Sequence, residues 1–327
     1  MKITILSKAP IETPFNNVLN DKPVLNDDSD VVIVHSDDYF TDQLFDYLKR
    51  LKKKYLAVFV IGFNNPELML YNKQYVEFCF DNNINFLDYD KDTSELVPYL
   101  EKNLSFDADY TKFAKYYLEL QPEIDYTPWF RGNDFSGKKV VDLGCGMPTY
   151  LSQLNPSEYQ GIDLSEEMIK RANQNFPSYQ FETGDICNAS YTADVVISIL
   201  DVFNYLPEFE SVKAVISNVF ANLNPGGEFI FDVHDKAVLR TFKDYFDFED
   251  EGEEQFIWES NVSGHNLTHY FQIVDEDYKV YVEKHYQHYY DIDLILKHME
   301  LVGFTLIEVD REYNHHIVRA KKEESNE

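Results

Sequence analysis

The sequence predicts an α/β protein built on a doubly wound, mostly parallel sheet, and three observations carry that prediction. Short apolar runs alternate with stretches of helical periodicity along most of the chain, the pattern of strands joined by crossover helices. A glycine-punctuated turn, Gly144-Cys145-Gly146, follows the buried run Val140-Val141 and the acidic residue Asp142. Such a strand-to-helix turn is where open α/β sheets bind nucleotide-like ligands. Beyond about residue 245 the periodicity drops to two, which marks an antiparallel insertion ahead of the last helix.

Taken in order, residues 1–104 read as a smaller N-terminal α/β domain, with strands at 2–7, 31–36, 55–61 and 84–87 and amphipathic helices at 42–53 and 66–80. No glycine-rich phosphate loop follows these strands, so the pattern assigns this domain no role. Asp37-Asp38 after the second strand reads as a loop cap in preference to a metal site. Asn103–Asp109 is a polar joint, and residues 105–327 form the second domain. A helix is expected at 110–120. The aromatic segment Tyr126–Phe130 reads as a joint between domains, with closure over a ligand as the alternative.

The second domain then alternates regularly. Strands fall at 139–143, 159–163, 179–182, 194–199 and 228–233, and helices near 148–154, 166–175 and 212–223. Ser165 suits the N-cap of the helix at 166–175, and Glu166 and Glu167 suit its dipole. Asn224-Pro225-Gly226-Gly227 reads as a turn. Period-two strands at 254–261, 266–274 and 278–290 make up the insertion, about 245–290, and are followed by a helix at 292–302. Gly303 ends that helix, and 304–309 and 315–320 pair as a closing hairpin.

The bulk numbers narrow the function. A chain of 327 residues with 44% hydrophobic content has room for two cored domains. Its formal charge of −29 repels nucleic acid and anionic membrane surfaces, so a nucleic-acid partner is disfavoured. The basic run Lys49–Lys54 complements the end of a helix. Cys79, Cys145 and Cys187 define neither a disulfide framework nor a zinc spacing. No run is long enough for a membrane span, the first ten residues do not read as a signal peptide, and a cytoplasmic location is expected.

Two acidic residues sharpen the ligand. Asp163 ends the strand after the glycine turn, about twenty positions beyond Asp142, where a carboxylate suits ribose hydroxyls. A dinucleotide fingerprint would place a third glycine where Thr149 stands. It would also set Asp142 against an anionic pyrophosphate, whereas a zwitterionic ligand tolerates that carboxylate.

At these residues the chain resembles a known family. VVDLGCGMP, YQGIDLSEEMIKRA, FETGDI and ISILDVFNYL look like four successive motifs of the class I S-adenosylmethionine-dependent methyltransferases. The segment after PGGEFIFDV resembles their small-molecule branch, and the resemblance covers about residues 108–320. It implies a Rossmann-like doubly wound seven-stranded sheet carrying an antiparallel β insertion. The cofactor implied is S-adenosylmethionine, released as S-adenosylhomocysteine. Asp142 with the backbone of Gly144, Cys145 and Gly146 would surround the methionine part. Asp163 would bind the ribose, Leu164 would pack on the adenine, and Asp185 and Ile186 would meet the adenine edge. Leu200 and Asp201 would line the sulfonium end, and Tyr110 would cap the cofactor. Pro148 stands where the family has a glycine.

The resemblance implies methyl transfer to a nitrogen or oxygen of a small-molecule acceptor. A protein or tRNA acceptor, or a non-catalytic cofactor-binding subunit, are the alternatives. Methyl transfer needs alignment of nucleophile and methyl, and a base only if the acceptor arrives protonated. Candidates for that work are Asp201, Asn204 and Tyr205 after the fourth strand, and Glu283 and His285 on the insertion. Glu283, His285 and Gln287 share one strand face, which either overhangs the acceptor or meets solvent. His265 and His269 do not converge as metal ligands on a strand, so no metal is expected. A homo-oligomer would form through the N-terminal domain or the insertion.

Overall fold

The computed structural model describes residues 3–7, 16–19, 31–35, 48, 50, 57–61, 85–87, 104–107, 113–114, 124–133, 135–250, 255–274 and 280–324. The chain divides into two compact units. One holds Met1–Phe106, Phe246–Glu259 and Tyr270–Val282; the other holds Asp107–Tyr245, Ser260–His269 and Glu283–Glu327.

The first unit contains a parallel five-stranded sheet, β1 (Ile3–Ser7), β2 (Asn16–Leu19), β3 (Val31–His35), β4 (Ala57–Ile61) and β5 (Asn85–Leu87), in the order β2-β1-β3-β4-β5. Thr4, Ile5 and Leu6 of β1 and Val32, Ile33 and Val34 of β3 are buried in succession. That is the mark of a parallel sheet covered on both faces. β2 was not expected, because NNVL is short and half polar. The helices expected at 42–53, 66–80 and 110–120 lie largely outside the described residues, of which Leu48, Arg50, Phe113 and Ala114 are helical. Tyr110 and Asp37-Asp38 also lie outside them.

The second unit is organised by a seven-stranded sheet. Its strands are β7 (Lys139–Leu143), β8 (Glu158–Asp163), β9 (Gln180–Thr183), β10 (Ala193–Ser198), β11 (Leu223–His234), β16 (Phe304–Glu312) and β17 (His315–Lys322). They run in the order β16-β17-β11-β10-β7-β8-β9. Strands β7 to β11 are parallel, and β17 is antiparallel to both β11 and β16. The chain winds outward from β7 through β8 to β9, then returns to β10 on the other side. This makes the β7/β10 crevice the topological switch point.

Alternation along these strands serves two cores. Val141, Leu143, Val196, Phe229, Phe231 and Val318 face one, and Val140, Val195, Ile197, Ile230 and Ile317 face the other. Phe203 stacks on Phe231 with ring centroids 4.6 Å apart, and each such buried side chain contributes about 2 kcal/mol of transfer free energy. The helices begin and end where their residues dictate. In α3 (Glu166–Asn175), following α1 (Thr127–Phe130) and α2 (Leu151–Leu154), the Ser165 hydroxyl accepts from Met168 N at 3.3 Å. After α4 (Val202–Tyr205), α5 (Phe209–Asn222) and α6 (Val238–Thr241) comes α7 (Ile292–Val302), capped by Asp291 and ended by Gly303 at φ 116°.

Three details differ from expectation. Tyr126–Phe130 is not a joint: Trp129 and Phe130 are buried in the second core. The turn Asn224–Gly227 is instead a bulge within β11, since pairing passes from Ala193↔Leu223 to Val195↔Glu228 around Gly226 at φ 77°. Leu104–Asp107 is not a polar joint but strand β6. It belongs to a third sheet with β12 (Tyr245–Asp250), β13 (Gln255–Ser263), β14 (Asn266–Val274) and β15 (Val280–His288), in the order β12-β13-β14-β15-β6. β16 and β17 join through Tyr313 and Asn314, at φ 49° and 62°. Two successive positive φ values match the twist of a two-residue hairpin.

Candidate active site

The glycine turn is tied to β8. The N–H groups of Gly144 and Cys145 donate to the Ile162 carbonyl at 2.7 and 3.2 Å, and Gly146 N donates to Asp163 Oδ2 at 2.8 Å. Gly144 adopts φ 74°, and a Cβ there would lie 2.6 Å from Val202 Cγ2, so both conformation and space demand glycine. A Cβ on Gly146 would meet nothing within 4 Å, so the loop is open on that side. Pro148 is buried, and its carbonyl accepts from Leu151 N at 3.2 Å as the chain enters α2. The backbone N–H groups that anchor the loop, those of Gly144, Cys145 and Gly146, lie upstream of it.

Asp163 accepts from Ser165 N through Oδ1 at 2.8 Å, so its carboxylate bridges the glycine loop and the cap of α3. Burial pushes its pKa up, against the lowering effect of those backbone N–H groups. Leu164 beside it is 77% exposed, a bare apolar side chain next to the loop. Asp185 is exposed and accepts from Cys187 N and Asn188 Nδ2 at 2.9 and 3.0 Å, while Ile186 is buried.

Asp142, at the end of β7, is enclosed by two tyrosines. It is fully buried and accepts from the hydroxyls of Tyr150, at 2.5 Å, and Tyr159, both on Oδ2. Its Oδ1 is buried with no partner among the described residues. Burial raises its pKa to about 7 even though the two tyrosines favour the ionised form. The electrostatic contrast drawn above from an ionised Asp142 is therefore weaker than expected.

Across the switch point, Leu200 and Asp201 follow β10 with φ 63° and 72°. Left-handed backbone at two consecutive non-glycine residues is strained and persists only when held. Here the holder is Asp232, which accepts both N–H groups, at 2.8 and 3.0 Å, and Trp129 Nε1 at 2.6 Å. Asp201 then accepts from His315 Nε2 at 2.5 Å, His234 Nε2 at 3.0 Å and Gln287 Nε2 at 3.2 Å. Burial works to raise its pKa, but the two imidazoles outweigh that and hold it well below the usual carboxylate range. His315 is raised to about 9, since Asp201 and Asp232 overcome the effect of its own burial.

A second chain of polar groups runs beside this one. Tyr205, half-buried in α4, places its hydroxyl 2.9 Å from His285 Nδ1, and His285 Nε2 lies 3.2 Å from Glu283 Oε2. Glu283 Oε1 accepts from Phe113 N at 2.7 Å. Gln287 gives its amide to Asp201 and turns its carbonyl to His269 Nε2 at 3.1 Å, and His269 Nδ1 faces Ser260 Oγ at 2.7 Å. Burial lowers His269 to about 4, so its ring is neutral at physiological pH. Glu283, His285 and Gln287 are each at most 4% exposed, which excludes the solvent-facing reading of that strand face. Asn204, the remaining candidate of this loop, is fully buried, its amide donates to the His288 carbonyl at 2.7 Å, and its Oδ1 accepts from His234 N at 3.0 Å.

Sequence reasoning missed His234, His315 and Asp232. Their only signals were FDVHD at the end of β11 and YNHH at the hairpin. Pairing those two segments requires the register of β17, which no local pattern reveals.

Residues 134–281 match a family model described as Methyltransferase domain. A Bacillus subtilis (strain 168) protein named "Putative methyltransferase YqeM" is 28% identical over 222 residues, 62% of this chain and 90% of its own length. The Saccharomyces cerevisiae tRNA (carboxymethyluridine(34)-5-O)-methyltransferase is 30% identical over 141 residues, 39% of this chain and 50% of its own length. In fold, an S-adenosylmethionine-dependent methyltransferase from Clostridium acetobutylicum superposes with a TM-score of 0.56 at 23% identity, covering 65% of this chain and 99% of that one. The sheet and the glycine turn at its switch point thus define a Rossmann-like methyltransferase domain. The protein is a methyltransferase with the fold of the S-adenosylmethionine-dependent enzymes. No helix among the described residues is long and apolar enough to cross a membrane.

Proposed function

We propose that this enzyme methylates a nitrogen or oxygen nucleophile of a small molecule, with Tyr205, His285 and Glu283 removing the acceptor's proton. The observation that carries the reading is the hydrogen-bonded chain Tyr205–His285–Glu283 beside Leu200 and Asp201, at the ligand-binding edge of the sheet. The residues of the glycine turn fit the cofactor. The loop is open at Gly146, Leu164 is bare, Asp163 is pinned at its strand end, and Asp142 Oδ1 is a buried acceptor awaiting a donor. In this reading Asp163 takes the ribose, Leu164 and Ile186 the adenine, Asp185 its edge, and Asp142 with Gly144, Cys145 and Gly146 the methionine part.

When bound, S-adenosylmethionine supplies a methyl group already activated on a sulfonium. The chain's residues then align the acceptor and move one proton. Glu283 accepts from His285 Nε2–H, which leaves Nδ1 as the acceptor for the Tyr205 hydroxyl proton. As the acceptor's nucleophile takes the methyl group, its proton passes to Tyr205 Oη and the tyrosine's own proton passes to His285 Nδ1. Glu283 stabilises the resulting imidazolium. The strained pair Leu200-Asp201 shapes the wall beside this chain.

The yeast relative's name keeps a tRNA acceptor as the second reading. The charge of −29 counts against a polyanionic acceptor. Incubating the enzyme with methyl-labelled cofactor and either a small-metabolite fraction or bulk tRNA separates the two, and label entering tRNA alone refutes the small-molecule reading. Tyr205→Phe should lower turnover by about 100-fold or more while cofactor affinity stays within a factor of about two. Full activity in that variant removes the proton chain from the mechanism.

A further inference from the structure

We infer that Asp201, His234 and His315 form a binding site for one divalent transition-metal ion of the zinc or cobalt type. Asp201 Oδ1, His234 Nε2 and His315 Nε2 all lie within 4.8 Å of one another. Two imidazole nitrogens with one carboxylate oxygen suit first-row transition metals, whereas magnesium and calcium favour all-oxygen sets.

The ligands stand on rigid elements. His234 and His315 are direct partners across the antiparallel β11/β17 ladder, with ring centroids 5.1 Å apart, so they present their rings to the same side. Asp201 is fixed between them by the bonds of its own N–H and that of Leu200 to Asp232.

An outer shell is in place for two of the three ligands, His315 and Asp201. His315 Nδ1 donates to the Tyr313 carbonyl at 2.7 Å, which directs Nε2 at the centre. Asp201 Oδ2 is held by Gln287, Gln287 by His269, and His269 by Ser260. Asp232 adds a second buried carboxylate behind Asp201, so the centre carries the negative charge a dication would neutralise. The His234 side chain is 1% exposed, but Asp201 is 32% exposed and His315 18%. The cluster is therefore open on one side, where an exchangeable fourth ligand can enter.

Metal binding is measured without turnover, so its failure and the failure of the acceptor reading are distinguishable. Full-length protein stripped with chelator would be titrated with cobalt(II) by visible absorption and with zinc(II) by calorimetry. The expected result is one ion per chain with zinc displacing cobalt. Asp201→Asn and His315→Gln should each weaken binding by at least about tenfold, and His265→Gln, at an exposed histidine, should leave it unchanged. Should the two ligand variants fail to fold by circular dichroism, the wild type still decides. Cobalt must then broaden the ring resonances of His234 and His315 first among the nine histidines. No saturable binding at millimolar metal, wild-type affinity in folded ligand variants, or broadening centred on other histidines would each overturn the site and leave an ion-paired cluster only.

Discussion

Replacing Gly144 with alanine tests whether the loop is shaped by glycine for backbone reasons, for space, or for both. At φ 74° an alanine incurs about 1–2 kcal/mol of left-handed strain. Its Cβ would also stand 2.6 Å from Val202 Cγ2 and nearer still to Cγ1, an overlap of the kind that costs about 1–3 kcal/mol in a packed site. The sum, about 2–5 kcal/mol, should lower the unfolding temperature by roughly 2–4 °C per kcal/mol for a unit of this size. Val202→Ala removes both clashing methyl groups and leaves only the Val202 Cβ contact at 3.1 Å. The double variant should therefore recover the overlap part and retain the strain part, giving a coupling of about 1–3 kcal/mol in a double-mutant cycle. Thermal and urea unfolding of the four proteins measure this, and binding of S-adenosylhomocysteine should track the recovery. Gly144→Ala melting like the wild type, or strictly additive single effects, would refute the account of this loop.

Asp142→Asn should flatten part of the pH dependence of stability. The folded pKa of about 7 lies above the unfolded value of 3.8, so the wild type loses stability as pH rises from about 4 through 7. That loss amounts to at most about 4 kcal/mol; unfolding curves across this range that are unchanged in the variant would sink the assignment. Asp163→Ala should reduce cofactor affinity at least about tenfold by calorimetry, because it removes both the carboxylate proposed for the ribose and the anchor of Gly146 N. An unchanged affinity places the ribose elsewhere. Glu283→Gln should lower turnover and leave cofactor affinity intact; steady-state kinetics showing a fully active variant would reduce Glu283 to a structural acceptor for Phe113 N.

Much of the second unit was legible because its signals are local. Val140-Val141 followed by Gly144, and Ser165 followed by two glutamates, announce a strand, a turn and a capped helix within a few residues. The helices at 166–175 and 292–302 appear at the expected bounds. The shared face of Glu283, His285 and Gln287 was legible from strand parity. What it faces was not, because burial of a polar face depends on which elements cover it. The partners of Asn204 were illegible for the same reason, since only the tertiary fold joins it to His288 and His234. Asp142 was read as a charge facing the ligand, and its bonds to Tyr150 and Tyr159 depend on how β8 and the glycine turn fold around it. Strands β2 and β6 were missed because four-residue strands with mixed polarity carry almost no periodicity.

The two-residue turn at Tyr313-Asn314 has a consequence for how this site tolerates change. Ile317 and Val318, on opposite faces of β17, are both fully buried, and sliding the strand by one residue would set His316 or Arg319 in place of one of them, so the hydrophobic pattern opposes a slip. Turn length and that pattern together decide which side chain meets Asp201. The neighbour of His315 is His316, now paired across from Val233 and 3.3 Å from Asp235. A one-residue slip in one direction would bring His316 opposite His234 and still offer Asp201 an imidazole; a slip in the other would offer Asn314. The two-residue turn thus sets which imidazole of the doublet stands beside Asp201 and which beside Asp235.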